Sequence, residues 1–166
     1  VEPFDSGQFI LRDDEGEILI KPDSSKRNFR EAKRKTLIHL QRSFGLWATS
    51  ALDNVMRRLN ALKTEDETGP LPEEYTSEYK EMKEKALEIL DAVKLKHKAN
   101  QVAPVMSGGE KQRLVLARQL AIAGSEKSFG KILLLDEPVT MSDPLTKQIS
   151  LDYIKKLRDK FKLSIL

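Results

Sequence analysis

Two short stretches of this chain carry residues whose types and spacing could do chemistry: Ser107-Gly108-Gly109-Glu110, and Asp136-Glu137 at the end of the apolar run Ile132–Leu135. In the first, Ser107 and Glu110 stand in the S-x-x-E relation of a capping box. There each side chain satisfies a backbone N–H that the first helical turn leaves without an acceptor, a device worth ~1 kcal/mol. Such a cap does not need Gly108 and Gly109. Each glycine in the first turn costs up to about 1 kcal/mol against alanine. What it offers is bare N–H at the positive end of a helix, with no Cβ to hold an anion away. The stretch reads as a plain cap or as a phosphate cradle, and the cost of the glycines favours the cradle. In the second stretch, a hydrophobic strand ending in two carboxylates places charge at the carboxyl edge of a sheet, where α/β proteins bind ligands. Carboxylates at a partly buried edge need a cation, a water or a hydrogen-bond partner. Side chains alternate along a strand, so the two can take different work: one holding Mg2+ through its water, the other polarising an attacking water. Taken alone, a strand stopped in a polar turn by Pro138 explains the same residues equally well.

These residues need elements to hold them. FILRDDEGEILI (residues 9–20) has two apolar stretches around a polar centre, which predicts a β-hairpin turning near Glu15-Gly16. After Pro22-Asp23-Ser24-Ser25, residues 28–35 read as a polar helix and TLIHLQ (residues 36–41) as a short buried strand. Residues 47–62 predict a helix with Thr49 or Ser50 as N-cap and one apolar face of Leu52, Val55, Met56, Leu59 and Leu62. An acidic loop with Gly69, Pro70 and Pro72 follows, and a second amphipathic helix spans residues 77–93. Residues 103–106 are expected to run extended into a third helix over residues 110–123. The run at residues 131–135 is of the kind buried on both sheet faces; residues 145–161 are again helical and residues 163–166 begin another strand. Sheet elements, then a helical block, then β-α-β describe an α/β core interrupted by a helical insertion.

Composition narrows the function classes. With 166 residues, 39% apolar and 33% charged, the chain is one soluble globular unit or part of one. No cysteine is present, so disulfides, thiolate nucleophiles and cysteine zinc sites are excluded, and two histidines cannot form a His-rich metal site. His39 is expected to be packed and His97 exposed. The basic excess, 29 Lys and Arg against 26 Asp and Glu, is too slight to imply nucleic-acid binding, and the basic run KRNFREAKRK reads as a solvated helix face. No apolar run approaches the ~18 residues of a membrane helix. The start, VEPFDSGQF, has no secretory signal and no initiator methionine. A cytoplasmic location is expected, or the inner face of a membrane reached through a partner.

SGGEKQR (residues 107–113) followed by DEP (residues 136–138) resembles the signature motif and Walker B strand of the ATP-binding cassette (ABC) ATPases. Gln41 stands where that family's Q-loop has its glutamine, and PVTMSDP (residues 138–144) resembles the D-loop, with Asp143 at its aspartate. The likeness covers most of the chain from Thr36 onward. It implies a P-loop NTPase of ABC type: a RecA-like core with an N-terminal antiparallel β segment and a helical subdomain, present here as a partial domain. On that basis residues 1–43 are the β-rich part of the core, residues 44–124 the helical subdomain with the signature motif, and residues 125–166 the Walker B and D-loop part.

The resemblance implies ATP and Mg2+ as ligands and a second cassette, on the same chain or a dimer mate, as partner. Asp136 would hold Mg2+ through water, with Gln41 sensing the metal and γ-phosphate, and Glu137 would be the general base. Ser107, Gly108, Gly109 and Glu110 would form the turn that grips the γ-phosphate bound on the partner cassette. Asp143 would cross the dimer interface. Two departures stand out. No G-x-x-x-x-G-K-[ST] occurs, and the only Gly-Lys is Gly130-Lys131. The family's phosphate loop is therefore expected before Val1 and its switch histidine after Leu166, with the isolated chain inactive. Met106 and Glu110 also replace the family's usual Leu and frequent Gln.

The compact block between Gln41 and Ser107 disfavours chromosome-maintenance members, which insert long coiled coils there. It resembles transporter subunits, which receive a transmembrane partner near residues 44–51, and soluble tandem cassettes. HLQRSFGLW and EPVTMSDPLTKQ, with the acidic insert, are similar to the first cassette of the soluble tandem ATPases that help activate methyl-coenzyme M reductase in methanogenic archaea. An importer ATPase subunit is the alternative. A non-catalytic interaction module with the same fold is a second one, disfavoured by the intact Gln41, Asp136, Glu137 and Ser107-Gly108-Gly109.

Overall fold

Apolar alternation around a polar centre folds the first segment into a hairpin. Strands β1 (Phe9–Asp13) and β2 (Gly16–Ile20) pair antiparallel, Phe9 opposite Ile20 and Asp13 opposite Gly16. The computed structural model describes residues 5–13, 16–39, 45–64, 66–123, 132–136 and 143–166. The hairpin tip at Asp14-Glu15, Gln41, Glu137, the loop at residues 125–130 and the D-loop residues before Asp143 lie outside these.

Leu11, Ile18 and Ile20 bury one face of the hairpin against Phe29 and Ala32 of α1 (Lys26–Lys35). Ser25 starts this helix: its Oγ accepts from Asn28 N at 3.3 Å and donates to Asn28 Oδ1 at 3.0 Å. Lys26, Arg27 and Arg30 face solvent, as expected of a solvated basic face.

α1 runs directly into β3 (Thr36–His39). β3 pairs in parallel with β4 (Ile132–Leu135), Thr36 opposite Ile132 and His39 opposite Leu135, and β4 pairs in parallel with β5 (Ser164–Ile165). Parallel neighbours need long crossovers. The first is the whole helical block of α2 (Ala51–Thr64), α3 (Ser77–Ala92) and α4 (Gly108–Ala123); the second contains α5 (Pro144–Phe161). This is the α/β core with a helical insertion that the element order implied.

The helices pack as their periodicity dictates. Val55 and Met56 of α2, with Ala86, Ile89 and Leu90 of α3, close over α4, in which Leu114, Leu116, Ala117, Leu120 and Ala121 are all buried. From Leu114 to Ala123 every residue of α4 except Gln119 is buried, so this part of the helix lies at the centre of the fold. The same cluster continues into Leu133, Ile154, Leu157 and Leu163. β4 departs from the expectation of full burial on both faces: Leu133 is buried, whereas Ile132, Leu134 and Leu135 are half-buried. Alternation sorts them, with Leu133 and Leu135 facing the helical cluster and Ile132 packing on the hairpin side.

The approach to α4 also differs from expectation. Residues Ala103–Val105 form one 3-10 turn instead of running extended, with Met106 N donating to Ala103 O at 3.2 Å. Pro104 fixes a φ suited to a turn, and the extended stretch ends at Val102, which bridges Ser50.

Candidate functional site

The turn at residues 107–110 is a complete capping box. Ser107 N donates to Glu110 Oε2 at 2.9 Å, and Glu110 N donates to Ser107 Oγ at 3.3 Å. Glu110 has a further partner: Lys98 Nζ donates to its Oε1 at 2.5 Å. The Lys98 hydrogen bond first, and the Ser107 N–H next, hold the Glu110 carboxyl down at about 2, well below the ordinary 4.5. Behind the turn, Met106 and Ala103 are buried in the core, and Lys111 Nζ donates to Pro104 O at 2.9 Å.

Gly108 and Gly109 occupy the first turn of α4, and neither takes a left-handed backbone. A Cβ at Gly108 would meet nothing within 4 Å, so this chain's own packing does not require glycine there. Helix geometry gives first-turn N–H groups no intrahelical acceptor. Ser107 Oγ takes that of Glu110, while those of Gly108 and Gly109 have no acceptor among the described residues. The result is a capped helix start, exposed at Ser107 and Gly108 and half-buried at Gly109 and Glu110, with two bare donors suited to an anion.

The second motif begins at the sheet edge. Parallel register brings His39 and Leu135, the last residues of β3 and β4, level at one edge of the sheet. Asp136 follows Leu135 directly and is exposed. Among the described residues no group of three or more His, Cys, Asp or Glu side chains could hold a metal. Mg2+ does not need one, since it is held by one or two carboxylates with phosphate oxygens and water.

Asp143 caps α5. Its Oδ1 accepts from Leu145 N at 3.1 Å and Thr146 N at 3.0 Å, and its Oδ2 accepts from Thr146 Oγ1 at 2.6 Å. The Thr146 side chain foremost, with the backbone N–H groups, lowers the Asp143 carboxyl below its usual range. No hydrogen bond or ion pair among the described residues joins Asp136 or Asp143 to the turn at residues 107–110.

Sequence reasoning missed a buried polar hub between α2 and α4. Asn54 is fully buried on α2; its Nδ2 donates to Trp47 O at 3.0 Å and Ser50 O at 2.9 Å, and its Oδ1 accepts from Trp47 N at 2.9 Å. The same Oδ1 accepts from Arg118 Nη1 of α4 at 3.1 Å, and Arg118 also pairs with Glu67, which Arg58 reaches at 3.3 Å. Burial pushes the Arg118 guanidinium down from its ordinary value, and the Glu67 charge opposes that shift. The available signal was a charged residue inside the apolar run of α4 and an asparagine amid the apolar face of α2.

Three backbone bonds reinforce the hub, from Ala51 N to Gln101 O, Leu52 N to Ala99 O and Ala103 N to Thr49 O, each 2.9 Å. Between the two strands of this latch opens a groove of about 360 Å³, lined by Leu46, Trp47 and Ala48 on one side and Ala103, Pro104 and Lys111 on the other.

The ABC transporter family profile matches residues 8–140. An uncharacterized ABC transporter ATP-binding protein of Methanocaldococcus jannaschii is 47% identical over 154 residues, covering 92% of this chain and 26% of that protein. A phosphonates import ATP-binding protein of Lactiplantibacillus plantarum is 32% identical over 162 residues, covering 95% of this chain and 59% of its own length. The fold resembles that of a dimeric ATP-binding cassette in a post-hydrolysis state bound to ADP and Pi. The TM-score is 0.61 at 26% identity, covering 88% of this chain and 57% of that one. The chain thus spans from about a quarter to somewhat over half the length of these relatives. With the family profile over most of its length, and its parallel sheet, helical insertion and glycine-opened helix in place, the chain belongs to the ABC transporter family.

Proposed function

We propose that this chain is the signature and Walker B portion of an ATP hydrolase that works as a pair of cassettes. The observation that carries the reading is the helix start at residues 107–110: a closed capping box around two glycine N–H groups without an acceptor among the described residues, with open space over Gly108. Ser107, Gly108 and Gly109 grip the γ-phosphate of ATP held on the second cassette, with Glu110 fixing the turn.

Asp136, at the sheet edge, would hold Mg2+, and Gln41 would sense the metal and γ-phosphate. Bound Mg2+ offsets the charge of the phosphates. Glu137 takes the proton of the attacking water, and Asp143 meets the partner cassette near its site. An exposed carboxylate at the carboxyl edge of a parallel sheet supports this placement of Asp136. The division into core residues 1–43, helical subdomain 44–124 and core residues 125–166 belongs to the same reading.

The groove beside Trp47 is the place for a partner. It lies against the latch that leads into the turn at residues 107–110, and the apolar residues Val102 and Val105 stand exposed on that latch segment. For the partner's identity, a transmembrane importer subunit is supported by the phosphonate import relative. Among the described residues no helix is long and apolar enough to cross a membrane, so the membrane part would be another chain or segment. ATP-dependent activation of methyl-coenzyme M reductase is the second reading, supported by the segments HLQRSFGLW and EPVTMSDPLTKQ.

The test is Mg-ATP hydrolysis by the full-length gene product with and without Glu137→Gln, alongside fractionation of cells into membrane and cytosol. Loss of a general base is expected to lower turnover by roughly 10²–10⁴-fold. That loss in a membrane-bound protein supports the importer reading; in a cytosolic one it supports the activation reading. Wild-type protein without turnover replaces both with a non-catalytic interaction module.

A further inference from the structure

Glu110 poses an electrostatic problem that the structure answers. As a first-turn acid it suits the helix dipole, and its Oε2 fixes the Ser107 backbone at 2.9 Å. In the proposed reading, however, the same turn must accept a phosphate, and a free carboxylate two residues from Gly108 would repel it. One uncompensated charge at such range changes phosphate affinity by roughly tenfold. A glutamine would supply the same acceptor oxygen with no charge.

Lys98 resolves the conflict. It stands on the 3-10 turn Lys96–Lys98, held by bonds from Lys98 N to Leu95 O and from Gln101 N to Lys98 O, each 2.9 Å, between the buried Leu95 and Ala99. From there its Nζ meets Glu110 Oε1 at 2.5 Å, leaving Oε2 to the cap. The pair is largely withdrawn from solvent, the side chains being 31% and 15% exposed, so salt screens it less than an open surface pair.

We infer that Lys98 is a positioning residue of the phosphate-gripping turn, neutralising Glu110 so that the helix start keeps its cap and still accepts an anion. The inference rests on the ATPase reading above and adds to it a residue outside the motif. Lys98 acts through Glu110, so its effect must depend on the charge at that position.

The experiment is steady-state Mg-ATP kinetics on the full-length protein carrying K98M, K98R, E110Q or K98M together with E110Q, with a thermal melt of each. K98M is expected to raise KM about tenfold in the wild-type background and by less than about twofold in the E110Q background. K98R, which keeps the charge, is expected to restore most of the lost affinity. An equal KM defect from K98M in both backgrounds, or a lowered melting temperature with unchanged KM, overturns the inference while leaving the ATPase reading intact. Wild-type protein with no ATP turnover overturns both.

Discussion

The two helices that begin at motif residues, α4 and α5, are started and supported in opposite ways. The Asp143 side chain accepts all three of its described bonds from its own helix, ahead of a Pro144 whose missing N–H costs nothing at that position. Only one stripe of α5 is buried, Thr146, Ser150, Ile154 and Leu157, while Lys147, Gln148, Lys155 and Lys156 face solvent. α4 begins with a long serine bond and two glycines, yet beyond them it is buried almost all round. Helical stability in proteins comes mainly from packing and little from local propensity. A helix gripped along its length can therefore carry a poor first turn, and that turn is free to be shaped for a ligand.

This contrast predicts an order of effects. Leu116→Ala, which empties a fully buried position in α4, should cost about 3 kcal/mol. Urea unfolding of the full-length protein measures it, and a loss under ~1 kcal/mol would mean α4 is not the anchor described. Arg118→Met should cost about 2 kcal/mol, because it leaves Asn54 Oδ1 with one donor fewer and strips Glu67 of one of its two cations. Its signature beyond stability is loosening of the Trp47 side of the groove, to be seen as faster amide exchange at Trp47 N, which Asn54 holds.

Asp143→Ala should destabilise more than Ser107→Ala, through loss of a well-made cap. Ser107→Ala should cost only about 0.5 kcal/mol, since its bond is long and α4 is held elsewhere. The two should reverse when ATP-driven association is followed by light scattering in the Glu137→Gln background. There Ser107→Ala should weaken association by roughly tenfold or more, as loss of a phosphate contact does. If Asp143→Ala instead has the larger effect on association and Ser107→Ala none, the phosphate reading of α4 falls.

Motifs with short sequence separation were the most legible parts. The S-x-x-E relation of Ser107 and Glu110, Ser50 ahead of α2 and the hairpin's alternation all follow from local geometry, and each is found in the structure. What stayed hidden depends on contacts between distant segments. Lys98 lies 12 residues from Glu110, and Arg118 lies 64 from Asn54, so no periodicity connects them. The turn at Ala103–Val105 was misjudged as extended because its start is set by the Ser50–Val102 bridge, which only the folded chain supplies. Gln41 is read as a motif residue through resemblance alone and Glu137 through strand-end chemistry together with resemblance, and both lie outside the described residues.

The smallest expected effect separates the two helix starts by pH. The Glu110 carboxyl titrates near about 2 when folded against an ordinary 4.5, so the unfolded chain binds more protons between those values. Its contribution is fully present above pH 4.5 and is lost as pH falls through about 2. Asp143 is also lowered and loses stability in the same direction on acidification. Subtraction distinguishes them. Against E110Q, the wild-type stability advantage in urea titrations should be flat from pH 7 to 5 and shrink from there towards pH 2. In Asp143→Ala that shrinkage should persist, because the described partners of the Glu110 carboxylate are Lys98 and Ser107 and not Asp143. In Lys98→Met it should diminish, because the first cause of the lowered carboxyl is gone and only the Ser107 N–H remains to favour the charged form. Acid sensitivity that followed Asp143 and ignored Lys98 would place the ionic lock of this molecule at α5 instead of at the glycine-opened start of α4.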